Sequence, residues 1–471
     1  MDTIAWTIDD ILTATGGELL SGERYSSFEG VSIDSRNISK SDLFVAIKGE
    51  RHDGHRFIPD VITAGIRGMI IDRRLAGRQP IEDWQQKHIT CIAVDDTIRA
   101  LGDMAAWHRR RFNFPVAAIT GSNGKTTTRA MAAAVAGQKL NILSTFGNLN
   151  NEIGVPLTLL RLTRSHEAAI IELGMNHPGE IRRLGKMCQP DFGLITNIGP
   201  AHLEGLGTIE DVMTAKAELL ENIKEDGTIV LNGDDALCLK IGASTDRNVI
   251  YFGRSRNSDI RAVNTRIKGI GSAFTLELPE ESIEVELSVP GQFMVANALA
   301  AAAMGCLFGC SGEEIKAGLE SFTPVQGRMN FKQTQRGFFL IDDTYNANPD
   351  SMEAAIQTLV SLEEQKKKVL VAGDMLELGS DAESLHEKIG RIAVKSGVAR
   401  LYLTGDYAAS VAKGAQNQGM PDADIIKGNK GDLVKALNGF LCPGDCVLVK
   451  GSRGAGMEEI VRQLEASVES I

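Results

Sequence analysis

The sequence PVAAITGSNGKTTT, residues 115–128, decides how the chain folds. Its apolar first half predicts a buried strand, and its glycine-rich second half predicts a tight turn that opens into an alanine-rich helix. Small residues in such a turn let backbone N–H groups approach an anion, while the helix dipole and Lys125 favour negative charge there. We interpret the segment as a phosphate-binding loop for ATP.

The loop differs from the general nucleotide-binding pattern, which has a glycine six residues before its lysine. Ile119 occupies that position here, so the loop is a shorter variant. An ordinary strand-to-helix turn is the alternative interpretation of a Gly-Lys-Thr triplet that follows a strand. The rest of the chain has to decide between the two.

Length and charge narrow the class of protein. At about 150 residues per domain, 471 residues predict roughly three domains. A net charge of −11 without a basic run argues against a nucleic-acid partner and against an electrostatic membrane anchor. The first residues lack the pattern of a signal peptide, and the longest mainly apolar run, residues 298–310, is too short to span a bilayer. We therefore expect a cytoplasmic protein without an integral membrane segment.

Residues 1–112 predict a small N-terminal α/β domain. A short helix is expected over residues 8–19, where a glycine pair would cap it, and a long helix is expected over 95–112. The loops around Ser35 and His52 are dense in turn residues and hydrogen-bonding side chains. Loops on a rigid scaffold often carry binding groups, and a solvated loop is the equal alternative.

Residues 113–322 predict a central domain with a parallel sheet, because strand-like segments alternate with helical ones. Ligands of such sheets gather at the carboxyl ends of the strands. Glu172 interrupts an apolar strand, where an unpaired carboxylate is costly. We favour Mg²⁺ over a structural ion pair as its partner, because a phosphate-binding loop nearby requires a hard cation with oxygen ligands.

Two further features of the central domain are candidate ligand contacts. Residues 146–156 carry three asparagines between glycines, which suits contacts to sugar or phosphate oxygens, and a capped turn is the alternative. Asn297 lies on an apolar helix that begins near residue 292, so its amide needs a partner. An adenine edge is one possible partner.

Residues 323–471 predict a C-terminal domain with a second, Rossmann-like open sheet. Arg328 follows a hinge-like segment and is free to reach a phosphate. Polar strings follow the predicted strands at 342–349, 373–379 and 450–454. Two sheets that each present a ligand-binding edge predict a cleft between domains that closes over substrates.

Three strings together resemble those of the Mur ligases, the ATP-dependent amide-forming enzymes of peptidoglycan precursor synthesis. They are GNLNN at 147–151, ELGMNHPGE at 172–180 and DTYNANP at 343–349, and the resemblance runs almost end to end. Within the family, they are most similar to those of the member that joins D-alanyl-D-alanine to UDP-N-acetylmuramoyl-tripeptide. The member that adds the third peptide residue would show Asp-Asn-Pro-Arg, where this chain has TGDY at 404–407.

The resemblance implies a role for individual residues. The residues that would hold ATP are Gly121, Ser122, Asn123, Gly124, Lys125, Thr126 and Thr127 at the phosphates, with Asn297 at adenine, Arg328 at phosphate and Asp343 at ribose. Those that would hold Mg²⁺ are Thr126, Glu172, His202 and Lys216, the last as a carbamylated lysine. Those that would contact the UDP-sugar peptide and its partner substrate are Ser35, Arg51, His52, Asn148, Asn150, Asn151, Tyr345 and Asn346. The catalytic set would be Lys125, Lys216, His202 and Arg328.

The implied activity is ligation through an acyl phosphate, with UDP-N-acetylmuramoyl-tripeptide and D-alanyl-D-alanine as substrates. We expect a monomer, although the sequence does not determine the oligomeric state. The third residue of the tripeptide stays open between lysine and diaminopimelate. A different ligase of the superfamily, such as one that polyglutamylates folate, and a nucleotide-binding switch without chemistry are the competing hypotheses. A switch would need no second substrate domain.

Overall fold

The computed structural model describes residues 4–49, 52–362 and 364–466. Three α/β domains follow one another along the chain, each built around its own main sheet, as the sequence predicts. In the part of the chain that is described, we find no helix long and apolar enough to cross a membrane. Short 3₁₀ turns occur at Gly54–Phe57, Arg73–Arg78, Glu218–Asn222, Gly379–Asp381, Asp422–Asp424 and Arg453–Ala455.

The N-terminal domain is built on a sheet with the strand order β2-β7-β6-β5-β4, in which β2 is antiparallel to β7 and the others are parallel. Strands β1 and β3 form a separate antiparallel pair. The elements are β1 Trp6–Thr7, α1 Ile8–Thr15, β2 Glu18–Ser21, β3 Ser27–Phe28, β4 Gly30–Ser32, β5 Asp42–Val45, α2 Ile58–Thr63, β6 Gly68–Asp72, α3 Ile81–Gln86, β7 Thr90–Val94 and α4 Thr97–Arg109.

The helix that the sequence predicts over residues 8–19 is shorter in the structure. It ends at Thr15, because Gly16 adopts a left-handed conformation with φ of 64° and closes the last turn. Residues 18–21 then pair with β7 as strand β2. The glycine pair therefore separates a helix from a strand.

The central domain is built on a sheet with the order β16-β15-β14-β13-β12-β11-β8-β10-β9. The strands from β9 to β14 are parallel, and β14, β15 and β16 form an antiparallel meander. The elements are β8 Val116–Thr120, α5 Lys125–Ala136, β9 Ile142–Ser144, α6 Gly154–Leu159, β10 Ala168–Glu172, α7 Glu180–Cys188, β11 Phe192–Ile195, α8 Leu203–Leu206, α9 Ile209–Ala217, β12 Thr228–Asn232, α10 Ala236–Ala243, β13 Asn248–Gly253, β14 Ile260–Lys268, β15 Gly271–Glu277, β16 Ser282–Leu287, α11 Gln292–Leu307 and α12 Gly312–Glu320.

Strand β8 lies inside this sheet and is covered on both faces. Ala117 and Ile119 belong to the core that contains α5 and α11, whereas Val116 and Ala118 belong to the core on the opposite face. Burial on both faces explains why the strand is a continuous apolar run instead of an alternating one. This strand places the glycine-rich loop at the carboxyl edge of the sheet.

The C-terminal domain is built on a sheet with the order β17-β18-β22-β19-β20-β21, in which only β17 is antiparallel among the described strands. Its first elements are β17 Asn330–Gln333, β18 Phe339–Asp343, α13 Pro349–Ser361, β19 Lys368–Ala372 and α14 Ala382–Lys395. The remaining ones are β20 Arg400–Leu403, α15 Ala408–Asn417, β21 Ile425–Lys427, α16 Lys430–Phe440, β22 Cys446–Lys450 and α17 Glu458–Ala466. The open, mostly parallel sheet confirms the predicted Rossmann-like class.

Candidate active site

The glycine-rich loop joins β8 to α5 and has the geometry of an anion site. At Gly121, where φ is 145°, a Cβ atom would lie 1.9 Å from Thr196 Oγ1, so no other residue fits. Helix α5 begins at Lys125 after Gly124, which offers no side-chain cap. The N–H groups of the first turn are therefore available to an anion, and the helix dipole favours one.

The backbone of this loop holds the side chain of Lys125 in place. Its Nζ atom donates to the carbonyl oxygens of Gly121, at 2.7 Å, and Ser122, at 3.3 Å. The pKa of Lys125 is lowered to about 8, mainly by burial; the charge of Glu172 opposes this shift, and the positive charge of Arg328 contributes to it. A partly buried ammonium group that lies beside another cation is well placed to bind an anion.

Glu172 ends strand β10 and has 1% of its surface exposed. One carboxylate oxygen accepts hydrogen bonds from Thr126 Oγ1, at 3.1 Å, and Asn150 Nδ2, at 2.8 Å. The other lies 3.3 Å from Arg129 Nε. The structure thus provides the ion pair that the sequence left as the alternative to Mg²⁺.

The same residues also fit a magnesium ion. Thr126 and Glu172 supply oxygen donors, and Glu172 Oε2 is buried without a hydrogen bond. Within the described residues, no group of three or more acidic, histidine or cysteine side chains could hold a metal. Mg²⁺ is commonly bound by one or two carboxylates together with substrate phosphates, so a site with few protein ligands suits it.

Two residues expected at the metal have other surroundings in the structure. His202 Nδ1 lies 2.6 Å from Glu377 Oε2 of the C-terminal domain. Lys216 on α9 is 1% exposed and is not part of the cavity lining. It does not pair with Glu218 or Glu221, whose carboxylates accept from residues 179 and 182 instead, so Lys216 is not a solvated lysine of a surface ion pair.

The environment of Lys216 opposes a positive charge. Burial holds the pKa of this lysine well below its usual value, and the charge of Lys125 lowers it further. A lowered pKa makes the neutral amine of this lysine easier to reach than that of an exposed lysine. A neutral amine is the form that reacts with electrophiles.

A cavity of about 920 Å³ lies between the carboxyl edges of the central and C-terminal sheets. It confirms the cleft that the sequence predicts. The sequence-predicted residues that line it are Ser122, Asn123, Gly124, Lys125, Thr126, Thr127, Asn148, Asn150, Asn151, Glu172, His202, Asn297, Arg328, Asp343, Tyr345 and Asn346. Ser35 and His52 do not line it, and Arg51 lies outside the described residues.

Arg328 brings a positive charge to the cavity from the C-terminal domain. Its guanidinium carbon lies 4.0 Å from the centre of the Tyr345 ring, a cation–π contact that holds the side chain in place. Its Nε atom is buried and has no hydrogen-bond partner among the described residues. A buried donor of this kind is costly unless an acceptor such as a phosphate oxygen reaches it.

Asp343, expected at ribose, is already engaged. It accepts from Lys450 Nζ at 2.5 Å and from the Met329 N–H at 3.1 Å. Lys450 also donates to the carbonyl oxygen of Asn346 at 2.9 Å. The lysine at the end of β22 therefore fixes both the acidic residue and the loop that follows it.

The asparagines of the central domain divide between two roles. Asn151 Oδ1 accepts from the Gly154 N–H at 2.9 Å at the start of α6, so the capped turn describes this residue. Asn150 binds Glu172, and Asn148 lines the cavity. Asn297 on α11 accepts from Thr128 Oγ1 at 3.2 Å.

Comparison with known proteins identifies the family. Three models of protein families match the chain one after another. They are described as "Mur ligase family, catalytic domain" at residues 27–109, "Mur ligase middle domain" at 119–305 and "Mur ligase, glutamate ligase domain" at 327–453. The UDP-N-acetylmuramoyl-tripeptide--D-alanyl-D-alanine ligase of Escherichia coli K12 is 38% identical, over 98% of this chain and 99% of its own length. The chain belongs to the Mur ligase family.

Solved structures of Mur ligases agree with this assignment. A crystal structure of MurF from Acinetobacter baumannii superposes with a TM-score of 0.89 at 32% identity, over 99% of this chain and 100% of that one. MurF from Thermotoga maritima in complex with ADP gives 0.82 at 27% identity, over 93% and 98%. The family and these relatives make the chain an ATP-dependent ligase, which excludes a switch without chemistry.

Sequence reasoning gave no individual role to two cations of this Mur ligase site, Arg129 and Lys450. Arg129 follows Lys125 by four residues on α5, and a charged residue on the buried face of an alanine-rich helix was the signal that could have revealed it. Lys450 is the last residue of an otherwise apolar strand, the same signal that drew attention to Glu172.

Proposed function

We propose that this Mur ligase joins D-alanyl-D-alanine to UDP-N-acetylmuramoyl-tripeptide with ATP as the energy source. The observation that carries the proposal is the cavity in which the phosphate-binding loop and Lys125 face Arg328 across two domains. Similarity over nearly the full length to the ligase of that name supports the choice of substrates.

The reaction that fits these residues begins with acyl activation. An oxygen of the tripeptide's terminal carboxylate attacks the γ-phosphorus of ATP, the bond to the β-γ bridging oxygen breaks, and an acyl phosphate and ADP result. Because both reactants are anionic, Lys125 and Arg328 lower the barrier by stabilising the charge that spreads over the phosphoryl oxygens. Mg²⁺, held by Thr126 and Glu172, would supply further neutralisation of phosphate charge.

The second half of the reaction forms the amide. The free amine of D-alanyl-D-alanine attacks the carbonyl carbon of the acyl phosphate, and the tetrahedral intermediate expels inorganic phosphate as the amine loses a proton. Water must be kept from the acyl phosphate, and a cavity between two domains serves that purpose. We assign Ser35, Arg51 and His52 to the UDP-sugar end and Asn148, Asn150, Asn151, Tyr345 and Asn346 to the peptide end as working hypotheses.

The test is phosphate release with ATP, Mg²⁺, the tripeptide nucleotide and D-alanyl-D-alanine, with lysine and diaminopimelate forms of the tripeptide assayed separately. We expect sustained release only when all substrates are present. Lys125→Met should lower the rate by about 10²- to 10³-fold, as expected for one preorganised charge. Equal release without the dipeptide would contradict the ligase reaction, and near-normal turnover of the variant would contradict the role of Lys125.

We also propose that Lys216 is carbamylated. Its neutral amine can attack the carbon of CO₂ and lose a proton, which replaces a charge that Lys125 opposes with an anion that Lys125 favours. The carbamate oxygens would suit a hard cation.

Two measurements test the carbamate. Incubation with ¹³CO₂ should give a carbamate carbon signal that is absent from Lys216→Ala. The same variant should lose activity and regain part of it with formate or acetate. Full activity of untreated Lys216→Ala, or an unchanged carbon signal in it, would refute the proposal.

We propose a cytoplasmic monomer that uses no nucleic-acid partner, and domain limits after residues 112 and 322. Cell fractionation tests the cytoplasmic location, and sedimentation tests whether the chain is a monomer. Limited proteolysis followed by mass spectrometry tests the limits, since linkers between domains are cut first.

A further inference from the structure

The phosphate-binding loop is fastened to the neighbouring strand through Asn123. Its backbone N–H donates to Asn197 Oδ1 at 2.9 Å, and its carbonyl oxygen accepts from Asn197 Nδ2 at 3.1 Å. Thr196 Oγ1 donates to the same carbonyl oxygen at 2.5 Å. The backbone of Asn123 therefore has no hydrogen-bonding group left for a ligand, and only its side chain can respond to one.

That side chain is contacted from the other domain. Asn348 Nδ2 donates to Asn123 Oδ1 at 2.8 Å. Asn348 is also the N-cap of α13, where its Oδ1 atom accepts from the Ser351 N–H at 2.9 Å. Because a backbone N–H can only donate, the capping bond fixes which end of the Asn348 amide is oxygen, and the NH₂ group must face Asn123.

The contact fixes the orientation of the Asn123 amide in turn. With its oxygen facing Asn348, Asn123 keeps its Nδ2 group without a hydrogen bond to any described residue, in a side chain that lines the cavity beside Lys125. The reverse orientation would present an oxygen to the anion site. A donor attracts phosphate and an oxygen repels it, so the orientation of one amide changes the affinity of the loop.

We propose that Asn348 is a positioning residue that turns the Asn123 amide so that its Nδ2 group donates to a nucleotide phosphate. The C-terminal domain would thereby complete the phosphate-binding loop of the central domain. The inference rests on the proposed ATP site and adds to it a cross-domain contact on which tight triphosphate binding depends.

Two substitutions of Asn348 keep the cap and remove the donor. Both Asp and Ser are good N-cap residues, so α13 keeps its first turn in either variant. In Asn348→Ser the side chain is too short to reach Asn123. In Asn348→Asp the carboxylate accepts a hydrogen bond from Asn123, so the Asn123 amide turns over. Asn429→Ser is the matched control, because Asn429 caps α16 of the same domain through the Asp432 N–H, and neither residue lines the cavity.

The probes are MgATP and adenosine, titrated calorimetrically into the full chain without the other substrates. We expect Asn348→Ser to bind MgATP a few-fold more weakly and Asn348→Asp at least about tenfold more weakly, as hydrogen bonds to charged groups predict. Adenosine binding and the thermal midpoint should stay unchanged, as should every property of Asn429→Ser.

The Asn123→Ala background separates orientation from other effects. Without the Asn123 amide there is nothing to turn, so adding Asn348→Ser should cost no further MgATP affinity, and any loss that Asn348→Asp still causes measures its charge alone. An equal loss in both backgrounds, unchanged MgATP binding in Asn348→Ser, or parallel weakening of adenosine would overturn the proposal. Wild-type protein that binds MgATP without ligating would refute the proposed function only, whereas no MgATP binding would refute both.

Discussion

Glu172 shows how a single buried charge organises the residues around it. Its carboxylate has hydrogen bonds from Thr126 and Asn150 on one oxygen and Arg129 beside the other. Removing one partner of a buried ion pair leaves the other charge without compensation, which is far more destabilising than removing both. We therefore expect a double substitution of this pair to destabilise the chain less than a single one does.

We predict that Arg129→Met lowers the free energy of unfolding by about 3–5 kcal/mol, because Glu172 is left charged and buried. Adding Glu172→Gln should recover a large part of that loss. Thermal unfolding without Mg²⁺ measures both effects. A double variant no more stable than Arg129→Met alone would show that Glu172 is not the reason for the loss.

Residues at strand ends were predictable, and their partners were not. The sequence pattern is enough to recognise a carboxylate at the end of an apolar strand or a lysine in a glycine-rich loop. That Arg129 would meet Glu172, or Asn348 would meet Asn123, depends on contacts between residues 43 and 225 positions apart (172 − 129 and 348 − 123). Only the packed fold brings such pairs together.

At the scale of elements, helix α5 holds the phosphate-binding loop in place because α12 packs closely against it. A Cβ atom at Gly318 of α12 would lie 2.4 Å from the Cα atom of Val135 on α5. The neighbouring contacts are also backbone atoms, at 2.7 Å and 2.8 Å, so no flexible side chain can move aside. The glycine thus sets the distance between the two helices.

Gly318→Ala should lower the free energy of unfolding by about 1–3 kcal/mol, as overpacking does, and should weaken MgATP binding, because α5 carries Lys125. Gly439→Ala on α16 is the control. Apart from its chain neighbours and the backbone of its own helix, no atom of the described residues lies within 4 Å of the Cβ position there, so helix propensity alone should raise the stability by about 0.5–1 kcal/mol. Calorimetric unfolding compares the two, and equal effects would contradict the packing argument.

His386 on α14 anchors the loop that follows β19. Its Nε2 atom accepts from the Met375 N–H at 2.9 Å, and its Nδ1 atom donates to the Ala382 carbonyl oxygen at 2.6 Å. Burial lowers the pKa of His386 below its ordinary value of about 6.5. At this histidine the unfolded chain therefore binds a proton more tightly than the folded chain does. The stability that neutral His386 contributes is lost as the pH falls below about 6.5.

We predict that His386→Gln makes the thermal midpoint less dependent on pH between 7.5 and 5, and that it speeds hydrogen exchange in residues 374–378. His88→Gln, at an exposed position of the N-terminal domain, should change neither property. A wild-type midpoint that falls no more steeply than that of His386→Gln would exclude this histidine as a source of acid sensitivity.

Element types followed from the sequence more reliably than element ends. Strand β8 at Val116–Thr120 lies within the apolar run in which the sequence predicts a buried strand, because the glycine-rich turn bounds that run. The helix predicted over 8–19 ended early because sequence periodicity does not reveal that Gly16 adopts a left-handed conformation. The residues that follow the glycine pair form strand β2 instead, because they pair with the distant strand β7.

At the scale of the whole molecule, the three domains and the cleft between two of them followed from the repeated strand–helix pattern. The position of the N-terminal loops relative to that cleft did not follow from the sequence, since Ser35 and His52 are not among the residues that line the cavity. Domain placement depends on a few contacts between surfaces that are mostly polar, and such contacts leave little periodic signal in a sequence.

One of those contacts joins the central and C-terminal domains beside the cavity. His202 and Glu377 meet at 2.6 Å, with 22% and 52% of their side chains exposed, and Glu377 also accepts a backbone hydrogen bond from Glu204 at 3.3 Å. The hydrogen bond from His202 lowers the pKa of Glu377, so the pair is charged on the glutamate side. A partly exposed pair of this kind contributes about 1 kcal/mol or less.

We predict that Glu377→Ala shifts the domains toward a more open arrangement by up to about fivefold in population, because that is the equilibrium change that 1 kcal/mol allows. The radius of gyration from solution scattering should rise, and nucleotide should dissociate faster. Glu353→Ala is the control, since Glu353 lies 4.0 Å from Lys388 within the C-terminal domain alone. If Glu377→Ala and Glu353→Ala give the same scattering as the wild-type chain, the His202 contact does not hold the two domains together.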